Sequence, residues 1–218
     1  MKPAVRNAGV LVLCLSIYCA AQTATGTPGQ ITCDNCPVPG IDPKGSTPFA
    51  TADTSHGCKT GARIGFPIPD PKCTPGAINP TVTLEVLKNP AFRTACVRDC
   101  ATPLTVKDSA YGLYSIAHPS NNQGPTQTCE LDHLVSLELG GADTLDNIWP
   151  QCGPSQVALA ARYFKQKDMV ENFLAFRVKT GKMILADVQK GVATNWTQYL
   201  AAAQAFCKNN PRTCGMVP

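Results

Sequence analysis

The chain has 218 residues, 12 of them cysteine, with 19 basic and 15 acidic side chains for a formal net charge of +4. With 44% hydrophobic residues it can build a core, and its charge is too small to steer polyanions through the field of the whole protein, so any affinity for nucleic acid has to come from a local patch. After the first 21 residues no run is apolar enough to span a membrane.

The opening MKPAVRNAGVLVLCLSIYCAAQ sets Lys2 and Arg6 before an apolar run from Ala8 to Ala21. That run is too short to cross a bilayer and matches a secretory signal peptide over residues 1–21, with small residues, Cys19 and Ala21, before the cleavage point. Leu13 before Cys14 and Tyr18 before Cys19 make poor lipoprotein signals, so the expectation is a secreted or periplasmic protein without a lipid anchor. Loss of the leader removes Lys2 and Arg6, leaving 17 basic against 15 acidic side chains, or +2, and ten cysteines. An even cysteine count in an exported chain points to disulfides. The zinc alternative rests on the C-x-x-C of Cys33 and Cys36 and the C-x-x-x-C of Cys96 and Cys100, which lack a second pair and histidines at finger spacing.

Residues 22–80 are dense in Pro, Gly, Thr and Cys and sustain no apolar period, which predicts a loop-rich extension stapled by disulfides. From Thr81 the pattern changes, and a domain over 81–218 is expected. TVTLEVLKN can start a short helix or strand, and VKDSAYGLYSI carries Val106, Ala110, Leu113 and Tyr114 at helical spacing before Pro119. CELDHLV alternates as a strand, ELGGADTLD reads as a turn-rich loop, and NIWPQ can return antiparallel. A helix is expected from about Ser155, with Leu159, Tyr163, Val170, Leu174 and Val178 on its apolar stripe, Lys165, Asp168, Glu171 and Asn172 opposite, and Gly181 as its stop. A last helix begins after Thr194 as N-cap, with Trp196, Tyr199, Leu200, Ala203 and Phe206 inward.

A strand, loop, strand, helix order is a compact way to gather an aspartate, an imidazole and a helix carboxylate. Phosphodiester hydrolysis needs a water, a base near neutrality to take its proton, and a cation at the phosphate. His133 suits the base, with an ordinary pKa of about 6.5. Asp132 is a hard oxygen ligand suited to Mg²⁺ or Mn²⁺. Strict alternation would send these neighbours to opposite faces, so the strand must end or bulge there.

CELDHLVSLELGGADTLDNIWPQ resembles the HNH endonuclease motif of the ββα-metal nucleases, in the variant Glu-x-Asp-His-Leu-x-x-Leu-Glu-Leu-Gly-Gly followed by Asn-x-Trp-Pro-Gln. KDMVEN, from Lys167 to Asn172, and GVATNWTQYL are similar to segments that follow it in small bacterial members, so the likeness covers about residues 125–200. It implies that His133 is the general base, that Asp132 binds the metal, and that Asn147 braces the loop to orient the imidazole. Family members place a His or Asn on the helix as a further ligand; this helix has no His, and Asp168, Glu171 and Asn172 are the substitutes.

Other residues read more plainly. Asp168 and Glu171 are equally a solvated helix face paired with Lys165 and Lys167. Arg162, Lys165 and Lys167 line a phosphate track on one reading and are solvated charge on the other. Glu130 and Glu138 read as fold contacts, His56 and His118 as surface histidines, Trp149 and Trp196 as core anchors. The combined expectation is an α+β protein with an HNH-like ββα-metal core, acting as a monomeric, sequence-nonspecific endonuclease on nucleic acid, DNA first, with no membrane partner. The alternatives are a catalytically degenerate member of that fold kept as a structural or binding module, and a zinc-stabilised cysteine module. Cys129 and Cys152 stand at the outer ends of the strand pair, so their Cα atoms should approach the window of about 4.4–6.8 Å that a disulfide needs, closing a loop worth about 3 kcal/mol. Cys33 with Cys36, Cys96 with Cys100 and Cys207 with Cys214 are pairings from proximity alone.

Overall fold

The computed structural model describes residues 36–99 and 104–216; the expected leader, Cys33 and Cys100 lie outside them. The chain is α+β, with helices packed around three small antiparallel strand pairs. Strand β1 (Thr47–Pro48) pairs with β4 (Ala77–Ile78), β2 (Gly61–Arg63) with β3 (Phe66–Ile68), and β5 (Cys129–His133) with β6 (Ile148–Cys152). Helices α1 (Leu84–Lys88) and α2 (Leu104–Leu113) precede β5, and α3 (Tyr163–Lys179), α4 (Leu185–Asn195) and α5 (Leu200–Asn209) follow β6. No helix among the described residues is long and apolar enough to cross a membrane.

The β5–β6 pair has the expected register, Cys129 opposite Cys152 and His133 opposite Ile148. The two cysteines are disulfide-bonded with Cα atoms 4.0 Å apart, a little closer than the expected window. Cys207–Cys214 also forms as expected. The other two pairings are corrected: Cys36 bonds Cys96, 60 residues away, so neither Cys33–Cys36 nor Cys96–Cys100 exists, and a Cys58–Cys73 bridge joins two loops of the Pro- and Gly-rich segment. Sequence proximity fails for Cys36 because Val38 and Cys96 share a small apolar cluster with Val82, Leu87, Phe92, Val97 and Leu137 that brings the distant cysteines together.

The main core gathers Trp149, Trp196, Leu134, Val170, Leu174, Val178, Val192 and Leu200, with both tryptophans fully buried. Val170, Leu174 and Val178 of the expected stripe face it. Helix α3, however, starts at Tyr163 rather than near Ser155. Residues 155–162 carry only a short 3-10 turn at Leu159–Ala161 before α3, and the buried Arg162 guanidinium pins the stretch by donating to the carbonyls of Gln127, Pro125 and Ser155. The helix ends where expected: Gly181 takes a positive φ of 71°, its N–H bonds Val178 O at 3.0 Å, and Lys182 N bonds Arg177 O at 2.8 Å. Before the last helix the chain carries α4, which ends at Asn195, so Thr194 belongs to its final turn and the side chain of Asn195 accepts from Thr197 N instead. In α5, Leu200, Ala203 and Cys207 face inward.

Residues 76–79 of the loop-rich segment are built into the rest of the molecule. Gly76 N donates to Asp146 O, Asn79 N to Gly140 O, and Ala142 N to Ala77 O, so this segment backs the loop that joins β5 to β6.

Candidate functional site

Strand β5 keeps regular register through Asp132 and His133, opposite Trp149 and Ile148, with no bulge, and ends at His133; both residues nevertheless line one cleft. The loop after it, residues 134–147, folds back on itself and is closed by Asn147, fully buried. The Asn147 side chain donates to Val135 O at 2.9 Å and Ala142 O at 2.8 Å and accepts from Val135 N at 2.9 Å and Ala77 N at 3.3 Å. Gly141 is demanded by the same closure, because a Cβ there would stand 1.8 Å from Val135 O.

The folded loop delivers Asp143 to the imidazole. His133 Nε2 lies 2.8 Å from Asp143 Oδ1, while Asp143 Oδ2 accepts from Lys107 Nζ and from Asp99 N at 2.8 Å. Burial works to raise the Asp143 carboxyl, but the bonds from His133 and Lys107 outweigh it and hold the group well below the usual carboxylate range. An ionised carboxylate only accepts, so the proton of the neutral ring sits on Nε2 and Nδ1 keeps its lone pair. Burial pushes the imidazole below its ordinary value, although Asp143 pulls the other way; the ring is neutral at pH 7.

On the other side of β5, α3 brings its charged face. Lys167, expected either as a phosphate contact or as solvated charge, is 1% exposed. Its ammonium lies 3.2 Å from Asp132 Oδ1 and 3.0 Å from Oδ2, donates to His133 O at 2.7 Å, and pairs with Glu171 Oε1. Burial works against this charge, but Asp132 and Glu171 outweigh it and keep Lys167 protonated. Lys165 pairs with Asp168 at 2.7 Å and reaches Glu130 at 3.8 Å. Of the three expected basic residues, Arg162 directs its terminal nitrogens to backbone carbonyls, Lys167 is sealed between two acids, and Lys165 pairs with Asp168 while one-third exposed. Each is fixed by its own partners before any phosphate arrives.

A cleft of about 140 Å³ opens beside these groups, lined by Glu130, Asp132, His133, Glu138, Asp168, Glu171 and Arg98. It adjoins a larger cavity of about 500 Å³ that shares Glu138, Asp168 and Glu171. Five carboxylates meet here. Burial, then Asp168 and Asp132, raise Glu130 to about 7. Burial also raises Glu138, Asp132 and, most strongly, Glu171, in the last two against the pull of Lys167. Asp168 adds to the repulsion at all four. By donor type the cleft fits a hard divalent cation: its oxygens exceed the local positive charge, and Asp132 Oδ2 is buried with no partner but the Lys167 ammonium at 3.0 Å. Such an ion would draw on Asp132 and on Asp168, whose pairing with Lys165 is one-third exposed; Asp132 and Glu171 both share the buried Lys167 ammonium.

Among the described residues the cleft carboxylates do not come within 4.8 Å as a trio; His56, Asp70 and Cys73, far along the sequence, do. His56 and His118 are exposed as expected, and both tryptophans are core. Asp143 and Lys107, which complete the hydrogen-bonded cluster around His133, are the residues of this site that sequence reasoning misses. An aspartate two residues beyond Gly141 reads as a turn former, and nothing local says that the loop returns it to His133. Comparison with family models, curated proteins and solved structures finds no match to the chain.

Proposed function

We propose that the protein is an exported, metal-dependent endonuclease with an HNH-like ββα-metal site, cutting phosphodiester bonds of DNA with little sequence preference. The observation that supports this most is the neutral His133, its Nε2 anchored to Asp143, placed beside an excess of carboxylates that includes Asp132. The anchored tautomer leaves Nδ1 as the proton acceptor for an attacking water. A bound divalent cation would neutralise charge at the scissile phosphate. Asp132, held by Lys167 through both oxygens, would share its carboxylate with that ion. Lys107 keeps Asp143 ionised, and Asn147 holds the loop that carries it. The cleft's own negative charge would repel a polyanion, so substrate and cation are expected to bind together. Disulfides suit a protein that matures in an oxidising compartment.

The test is cleavage of supercoiled plasmid and of single-stranded RNA by purified protein with Mg²⁺ or Mn²⁺. Nicking that vanishes in excess chelator and returns with added metal is the expected result. Full activity in chelator contradicts the reading, and inactivity with every metal favours a binding module on the same scaffold.

A further inference from the structure

A second cluster of chemically competent side chains lies outside the cleft, around the Cys58–Cys73 bridge. His56 Nε2 is 3.2 Å from Asp70 Oδ2 and 4.0 Å from Cys73 Sγ, and the donor atoms of the three residues lie within 4.8 Å of one another. Donors bound at about 2.0–2.3 Å around a tetrahedral Zn²⁺ stand roughly 3.3–3.8 Å apart, so the spacing is close to that of a bound site. As it stands the sulfur is oxidised and is no ligand, because metals of this kind take the thiolate.

We infer that the Cys58–Cys73 disulfide masks a zinc-type site, which reduction opens and in which Cys58, Cys73, His56 and Asp70 together hold one ion. The balance is complete with a dithiol as reductant: it transfers two electrons and two protons to the bridge, giving two thiols and leaving as its own cyclic disulfide. The ion then displaces the two thiol protons. Two thiolates, an imidazole and a carboxylate form a set that selects Zn²⁺ over Mg²⁺ or Ca²⁺.

The frame around the cluster does not depend on the sulfur–sulfur bond. Cys58 N donates to Leu113 O at 3.3 Å, and Asp70 N to the Tyr114 hydroxyl at 3.1 Å, which fixes both loops on the end of α2. Cys73 N and Thr74 N bond Asp70 O at 3.1 and 2.8 Å. The Asp70 carboxylate is aimed by Lys72 N at 3.0 Å and Lys59 N at 3.3 Å. His56 is exposed, which gives an ion a way in, and Asp53 Oδ2, 4.0 Å from its other ring nitrogen, favours the orientation seen. The site is separate from the acidic cleft, so the inference stands whether or not the chain cuts nucleic acid.

The test is Co²⁺ binding by the Cys58→Ser variant, which frees the Cys73 thiol and leaves the other three bridges among the described residues intact. The expected result is one Co²⁺ per chain with a thiolate-to-cobalt charge-transfer absorption, absent from the wild type and weakened at least about tenfold in affinity by adding His56→Ala. A folded Cys58→Ser protein without that absorption overturns the inference, as does an affinity indifferent to His56→Ala. If the variant does not fold, dithiol-treated wild type decides, with alkylation of each cysteine followed by mass spectrometry. Zn²⁺ should slow modification of Cys58 and Cys73 about tenfold relative to Cys207 and Cys214, in line with tight thiolate ligation. Equal slowing at all four, no slowing, or a bridge that the dithiol does not open, overturns it.

Discussion

The two flanks of β5 treat charge in opposite ways. On one, Asp143 has three donors for its two oxygens and the imidazole is fixed in one tautomer. On the other, five carboxylates face Lys165, Lys167 and Arg98, and burial pushes most of the acids towards their neutral forms. A balanced flank costs little to maintain and fixes geometry. An unbalanced flank is kept at a cost to stability, and such strain is ordinarily found where a cation or a reaction needs the charge.

The largest expected effect comes from removing the group that both flanks share. His133→Ala should lower turnover by about 10²–10⁴, the range for losing a general base, and should also lower the melting temperature, because the buried Asp143 carboxylate loses one of its three donors. Steady-state rates with and without the imidazole measure it.

Lys167 is the one cation sealed into the acidic flank, so Lys167→Ala should cost about 3–5 kcal/mol of stability in a denaturant melt by leaving Asp132 and Glu171 buried and unanswered. A loss under 1 kcal/mol would mean that this pair rearranges freely and that the flank is less buried than its geometry says.

On the balanced flank the Asp143→Asn exchange keeps the shape and removes the charge. Turnover should fall about 10–100-fold through loss of the fixed tautomer. The acid limb of the pH–rate profile should also move to lower pH, because Asp143 is the group that raises the imidazole. A fall in rate with an unmoved limb would make Asp143 a purely structural contact.

The smallest effect concerns Glu130. Its folded value of about 7 lies above the ordinary 4.5, so the folded state holds a proton that the unfolded state has released, and stability drops as pH rises from about 4.5 through 7. Glu130→Gln should therefore raise the melting temperature at pH 8 and leave it unchanged at pH 4, by a modest amount because the side chain is one-third exposed. Mn²⁺ should give the wild type a similar lift at pH 8.

What the sequence made legible follows the range of the forces involved. The β5–β6 pair was readable because alternation, a Gly-Gly turn and two flanking cysteines are local signals, and Asn147 because its neighbours recur in a known motif. The burial of Lys167 was not, since a helix lysine reads as a phosphate contact or as solvated charge until a strand end supplies Asp132 and a backbone carbonyl to receive it. Arg162 pins the stretch before α3 through carbonyls more than thirty residues away. Helix α4 was hidden by Gly191, a weak helix former against which the Tyr199 hydroxyl packs. Cys36–Cys96 depends on an apolar cluster that no spacing rule describes.

The most direct measurement is a calorimetric titration of Mn²⁺ into the wild type and into Asp132→Asn, with plasmid cleavage followed on the same samples. The account predicts one site in the wild type, lost together with cleavage in Asp132→Asn. Cleavage that proceeds unchanged in a variant binding no Mn²⁺ would contradict it.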